Sequence, residues 1–330
     1  MRALFFKLLF WSGIGPISIC IQRIKRKAPI FLFHRISNTY DRFTEPIPTD
    51  RFEDILKKIT YFYTPQKLEL LEKQTNQISK KAAFVCFDDG LEDFYLNAFP
   101  ILKKHSIPVT LFVPTGKVGT ENSIWNNQLF ELALSFTTKT TVFNSNIEIE
   151  FNPQAPNYYQ QVMKIHKHLC QNYSIEDIYA FLNQGFSILK EKYALEKANM
   201  CSWNTYIELQ KNNVNIQCHT HNHLYLKGKS EKVIEQEFRT SKELLEKHLN
   251  KSINWVAYPV GGYNQQVIAL AKKYFTLGFS VDEKYLDINL LGKEAYNHTL
   301  PRFNIQDKTF EEMYFRTIGF HAFISKLKQL

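Results

Sequence analysis

Ala82-Ala83-Phe84-Val85-Cys86-Phe87-Asp88-Asp89-Gly90 decides the fold. Six apolar residues stopped by two carboxylates and a glycine read as a strand that ends at a turn. Downstream, Phe94, Ala98 and Ile101-Leu102 recur at helical spacing, and Val109 to Val113 is again a strand-like run. Strand, helix, strand in this order implies a parallel βαβ unit.

The same alternation extends both ways. Upstream, Pro29-Ile30-Phe31-Leu32-Phe33-His34 reads as a buried strand ending at His34, and Asp50 opens a helix with Phe52, Ile55, Leu56 and Ile59 on one face. Further on, the pattern predicts a helix over 203–211, a strand over 214–218, a charged helix over 231–249, and strands over 255–258, 277–281 and 299–305. About seven parallel strands with helices outside make a distorted (β/α) barrel of the α/β class, with its chemistry at the carboxyl ends of the strands. Residues 118–200 break the rhythm and read as an inserted lobe that shapes a groove or lid. The expected organisation is an N-terminal segment, 1–28, followed by the barrel over 29–330.

The 330 residues are 44% hydrophobic and 22% charged, which suits one sizeable core and no disordered or disulfide-stapled class. Of the formal net charge of +9, six charges come from Arg2, Lys7, Arg23, Lys25, Arg26 and Lys27, in a stretch of 27 residues without an acid. The rest is only mildly basic, which argues against nucleic acid as a partner. Beside Leu4, Phe5, Leu8, Leu9, Phe10 and Trp11, the basic residues suit either an anionic membrane surface or a helix packed on the barrel with a solvated basic linker. Lys7, Gly13, Gly15 and Pro16 interrupt the apolar run and no small-residue cleavage site follows, so export is not the expectation. No run long enough to span a bilayer follows residue 30, so membrane contact is expected to be peripheral and N-terminal. Five scattered cysteines (Cys20, Cys86, Cys170, Cys201, Cys218) fit neither a disulfide framework nor a structural zinc site. A cytoplasmic protein, peripheral at the inner face of the membrane, is the expectation.

Two carboxylates side by side at a strand end cannot both ionise cheaply without a cation or donors, so a metal is their natural third party. Gln217-Cys218-His219-Thr220-His221-Asn222-His223 follows another strand-like run. As a strand, positions 219, 221 and 223 share a face; as a strand end entering a helical turn, His219 and His223 meet at i and i+4. Either arrangement makes an open site of imidazole and carboxylate, suited to zinc or another divalent transition ion.

Phe87-Asp88-Asp89-Gly90 resembles the first motif of the polysaccharide deacetylases, carbohydrate esterase family four. His219-Thr220-His221-Asn222-His223 resembles that family's His-Thr-x-x-His second motif, and Trp255-Val-Ala-Tyr-Pro259-Val260-Gly261 its third, over a resemblance running from about 29 to 305 and leaving out most of 118–200. It implies that Asp88 is the general base, that Asp89, His219 and His223 hold a divalent metal (zinc first, with cobalt, nickel or manganese as alternatives), and that Thr220 buttresses the histidine turn. Tyr258, Pro259 and Val260 would line the substrate and oxyanion side, with a backbone donor beside the metal. The family's third-motif arginine is replaced by Ala257, and Arg302 in Leu300-Pro-Arg-Phe is the candidate to orient Asp88 instead. The C-terminal Leu-x-His motif is absent, but a circularly permuted branch carries its acid histidine near the N-terminus, and Phe31-Leu-Phe-His34-Arg35-Ile36 resembles that element. His34 is thus the expected general acid, with His298 and His321 next in line.

The function so implied is metal-dependent hydrolysis of the N-acetyl group of an amino sugar, in a bacterial-type surface polysaccharide or glycolipid precursor. Two alternatives stand beside it: another metal hydrolase, acting on phosphoesters or free amides, and a catalytically silent carbohydrate-binding or membrane-associated protein of the same fold.

Overall fold

Seven strands carry the apolar runs: β1 (Ile30–Phe33), β2 (Ala82–Phe87), β3 (Thr110–Val113), β4 (Asn215–Cys218), β5 (Trp255–Ala257), β6 (Leu277–Phe279) and β7 (Phe303–Asn304). The computed structural model describes residues 2–73, 75–120, 122–189, 199–306 and 309–318. The strands lie in the order β6-β5-β4-β3-β2-β1-β7, each pair parallel, and a short strand, Thr64–Pro65, pairs with the start of β2. Leu300 joins the two edges: its N–H donates to Gly278 O at 2.8 Å, and its carbonyl accepts from Ser280 N at 2.9 Å. The outcome is the expected parallel barrel, distorted where β7 is short. Pro301 precedes β7 and has no N–H to give a ladder, which accounts for a strand shorter than the apolar run over 299–305.

Every residue of β1 and β2 is buried because both sheet faces are covered. Alternate residues serve two layers. Ile30, Leu32, Phe84, Cys86, Phe112 and Ala257 fill the barrel, while Phe31, Phe33, Val85 and Phe87 face helices such as Thr49–Phe62. Register then fixes the site. Phe33 pairs with Phe87, and Val113 with Cys218, so His34, Asp88 and His219 leave the sheet at the same end.

The interruption over 118–200 contains helices Trp125–Ser135, Tyr158–Asn172 and Ile175–Ser187 and an antiparallel hairpin, Thr140–Phe143 with Glu148–Phe151. These elements gather around a core of their own that includes Trp125, Leu132, Val142, Phe151 and Phe181. At the other extreme of the chain, helices Arg2–Leu9 and Gly15–Ile24 are joined through a kink at Gly13 (φ 105°), and Phe6, Phe10 and Ile19 are buried against the barrel. Among the described residues, one helical stretch, Leu4–Ile24, is long and apolar enough to cross a membrane.

Candidate metal centre

Asp88 and Asp89 reach one cavity by different means. Asp88 continues the inward alternation of Phe84 and Cys86, and its N–H donates to Phe33 O at 3.1 Å. Asp89 would face the helices, but left-handed backbone at Asp89 (φ 73°) and Gly90 (φ 65°) turns it inward. Tyr206 fixes that turn: its hydroxyl donates to Gly90 O at 2.5 Å, and a Cβ on residue 90 would lie 2.6 Å from the Tyr206 hydroxyl oxygen.

The histidine segment is neither strand nor helix. Left-handed backbone at Thr220 (φ 65°) and His223 (φ 56°) folds it into a loop that brings His219 and His223 together and sends His221 away. The His221 ring shares a 2.8 Å hydrogen bond with Thr115 Oγ1 instead. Thr220 is not the buttress that the resemblance implied, since its Oγ1 is buried without a partner. Glu237, on helix Glu231–Leu249, holds the loop: its carboxylate accepts from the backbone N–H groups of His221 (2.9 Å) and Asn222 (2.7 Å) and from Asn222 Nδ2 (2.7 Å). A charged residue on the apolar stripe of Ile234, Phe238 and Leu245 was the sequence signal for it.

One ligand atom from each of Asp89, His219 and His223 can be chosen so that all lie within 4.8 Å of one another, and all three residues are buried. His219 Nδ1 lies 2.8 Å from Ala257 O; a carbonyl only accepts, so Nδ1 carries the proton and Nε2 keeps its lone pair. That Nε2 faces Asp88 Oδ2 at 3.6 Å and Asp89 Oδ1 at 3.7 Å. Burial pushes the His219 imidazole down to about 4 against the pull of Asp88, so it is a neutral ring at neutral pH. Asp89 Oδ1 and His223 Nδ1 are buried with no hydrogen-bond partner, although His223 Nε2 stands 3.2 Å from that oxygen. A buried carboxylate oxygen converging with imidazole nitrogens, without hydrogen-bond geometry, is what shared ligation of a cation requires. The residues therefore fit a divalent ion of the zinc type.

Asp88 is bonded on its other side. Arg302 donates to both its oxygens, Nη1 at 2.7 Å and Nη2 at 2.9 Å, and neither side chain has appreciable solvent contact. Burial alone would raise the Asp88 pKa; the Arg302 charge outweighs it and holds the carboxyl below its ordinary value. Arg302 is itself fixed by donation from Nε to Ser280 O at 2.9 Å and by its place over the Phe112 ring. It thus occupies the position beside Asp88 that Ala257 cannot fill.

His34 is half-buried and lines a cavity of about 270 Å³ with Asp88, Asp89, His219 and His223. The lobe supplies another wall, including Asn126, Asn127, Phe130, Met163 and His166. It is also tied to the metal ligands, since Trp125 Nε1 donates to His223 O at 3.2 Å and the Trp125 ring stacks on His166. Sequence reasoning missed Trp125 and His166, which meet His223 only through tertiary folding. A cavity of about 420 Å³ beside Ser106–Val109 and Asn212–Val214 contains none of the candidate catalytic residues.

Of the third-motif residues, Val260 lines the cavity and has left-handed backbone (φ 54°). Tyr258 corrects the expectation of a substrate contact: strand alternation turns its ring into the outer layer, fully buried, where its hydroxyl donates to His298 O at 3.1 Å. Pro259 is buried and outside the cavity lining. His298 lies with both ring nitrogens 3.0–3.1 Å from carbonyls of Phe275 and Glu294, and His321 is outside the described residues.

A family model described as polysaccharide deacetylase matches residues 75–276. Over 253 residues the chain is 27% identical to a poly-beta-1,6-N-acetyl-D-glucosamine N-deacetylase of Staphylococcus aureus, a match covering 76% of this chain and 64% of that protein. The chain thus spans just under two thirds of that relative's length. Among solved structures, the Streptococcus pyogenes deacetylase PplD in complex with acetate superposes with a TM-score of 0.56 at 21% identity, covering 88% of this chain and 97% of the other. A polysaccharide deacetylase from Bacillus cereus gives 0.58 at 18% identity, covering 88% and 69%. These structures share the fold of the chain.

Proposed function

We propose that this chain, which belongs to the polysaccharide deacetylase family, removes acetyl groups from N-acetylated amino sugars of a bacterial surface polysaccharide, with a metal-dependent hydrolytic site at Asp89, His219 and His223. The observation that carries the reading is the convergence of that ligand set, the Arg302-clamped Asp88 and His34 on one cavity. The names of the Staphylococcus aureus relatives make a β-1,6-linked N-acetylglucosamine polymer the first substrate to try, and a cavity of about 270 Å³ accommodates roughly one sugar residue at a time.

A divalent ion, zinc first, supplies Lewis-acid polarisation of the acetamide carbonyl and a lowered pKa of water there. The chain's own residues do the rest. Asp88, kept ionised and aimed by Arg302, takes the proton of the attacking water. The backbone N–H of Val260 offers a donor to the acetyl oxygen as charge develops on it. His34 gives a proton to the departing sugar nitrogen, so that acetate and a free amine leave. The lobe wall at Phe130 and Met163 shields the site from bulk water and offers an apolar surface to a sugar face.

The test is a panel of N-acetylated glycans, lipid-linked sugars, phosphoesters and free amides, followed by mass and by acetate release with and without chelator. Acetyl loss from the glycans, abolished by chelator, is expected. Turnover of phosphoesters or free amides alone, or glycan binding without acetyl loss, would replace this reading with one of its alternatives.

A further inference from the structure

The N-terminal helical stretch has two apolar faces, and only one of them is used. On the docked face, the Phe10 ring meets Phe62, Phe310 and Tyr314 edge-on, with centroids 5.2–5.7 Å apart, and Ile19 is buried. Gly15 permits that fit, since a Cβ there would stand 2.2 Å from the Phe10 ring. Trp11 Nε1 donates to Glu311 Oε1 at 3.2 Å, and the Arg23 guanidinium donates to the carbonyl of Phe62.

On the opposite face, Leu4 and Leu8 before the kink at Gly13 and Ile14, Ile17, Ile21 and Ile24 after it follow one another at steps of three or four residues, with exposures of 44–76%, and the Trp11 ring is half exposed at the border of the two faces. Together with Phe5 they are eight of the fifteen large apolar residues exposed among the described residues, so the row is a concentrated patch and not ordinary surface scatter. Lys7 and Lys25 are exposed near its two ends, and the segment has no acid.

Three occupants compete for such a face. A second copy would set lysines against lysines with no carboxylate to answer them, which disfavours self-association. A helix crossing the bilayer has the length it needs in Leu4–Ile24. Crossing, however, would strip Phe10 and Ile19 from the barrel and leave Phe62, Phe310 and Tyr314 in water. A bilayer surface with anionic headgroups meets both the apolar row and the basic flanks while leaving the docked face in place. We propose that this row seats the chain on an anionic membrane, with the helix lying in the plane of the interface.

The experiment is flotation of the full chain with vesicles of phosphatidylcholine, alone or mixed with phosphatidylglycerol, for wild type and Leu8→Glu/Ile17→Glu. Both positions are well exposed, so the variant should melt with wild type. Wild type is expected to float with the mixed vesicles, less with phosphatidylcholine alone, and to be released by an alkaline carbonate wash. The double variant should partition roughly tenfold or more weakly, because each glutamate removes an aliphatic side chain's burial and adds like charge to the surface. Equal binding by the two proteins would overturn the proposal. So would retention after the carbonate wash, which would mean a spanning helix, or a vesicle-free dimer that the variant dissociates.

Discussion

Replacing Arg302 with methionine keeps much of the side-chain volume over Phe112 and removes the fork that holds Asp88. The pair is bidentate at 2.7 and 2.9 Å, with side-chain exposures of 0% and 2%, so it belongs with buried ion pairs and not with surface ones. Breaking such a pair from one side leaves an uncompensated charge and costs about 3–5 kcal/mol, or roughly 5–10 °C in melting temperature for a chain of this size. Asp88→Asn alone should be destabilising too, because it leaves Arg302 with half its partners. The double variant should recover part of the loss, giving a coupling energy of about 2 kcal/mol or more in a denaturation cycle on metal-free protein. Arg302→Lys should fall between methionine and wild type, since a single ammonium cannot reproduce the fork. A melting temperature for Arg302→Met within a degree or so of wild type, or strictly additive single variants, would refute the reasoning.

His34→Gln should bind metal and glycan as wild type does and lose kcat, measured by acetate release; near-normal turnover would remove it as the proton donor. Trp125→Phe keeps an aromatic ring, though a smaller one, and loses the N–H that donates to His223 O, so competition with a chromophoric chelator should show metal affinity down by about tenfold, and an unchanged Kd would make Trp125 a packing residue only. His166 is pushed from 6.5 down to about 4 by its burial. Its folded pKa lies below its unfolded one, so the stability it contributes is full above pH 6.5 and falls as the pH drops towards 4, by up to about 3 kcal/mol. His166→Phe should flatten that part of the profile relative to wild type in denaturant titrations at pH 7 and pH 4.5, and parallel profiles would contradict the assignment.

The strands were legible where an apolar run stops at a polar motif, as in Ile30–Phe33 and Ala82–Phe87, and parallel pairing then places those stops at one end of the barrel. Arg302 was legible through a vacancy, the alanine at 257, which only a cation from another strand could fill. Tyr258 was misread because the motif was treated as one surface, whereas alternation sends Ala257 into the barrel and Tyr258 into the helix layer. The histidine loop left two readings open, since nothing local announces left-handed backbone at a β-branched Thr220. Glu237 and Trp125 impose that geometry, and both act across contacts more than ten residues away in the chain.

Dependence of acetate release on one cation at Asp89, His219 and His223 can be measured by titrating zinc back into chelator-stripped protein supplied with a β-1,6-linked N-acetylglucosamine oligomer. The stripped protein should be silent, its activity should rise with added zinc and saturate near one equivalent, and His219→Ala and His223→Ala should fail to respond. Full acetate release by the stripped protein, or zinc-restored activity in both histidine variants, would contradict it.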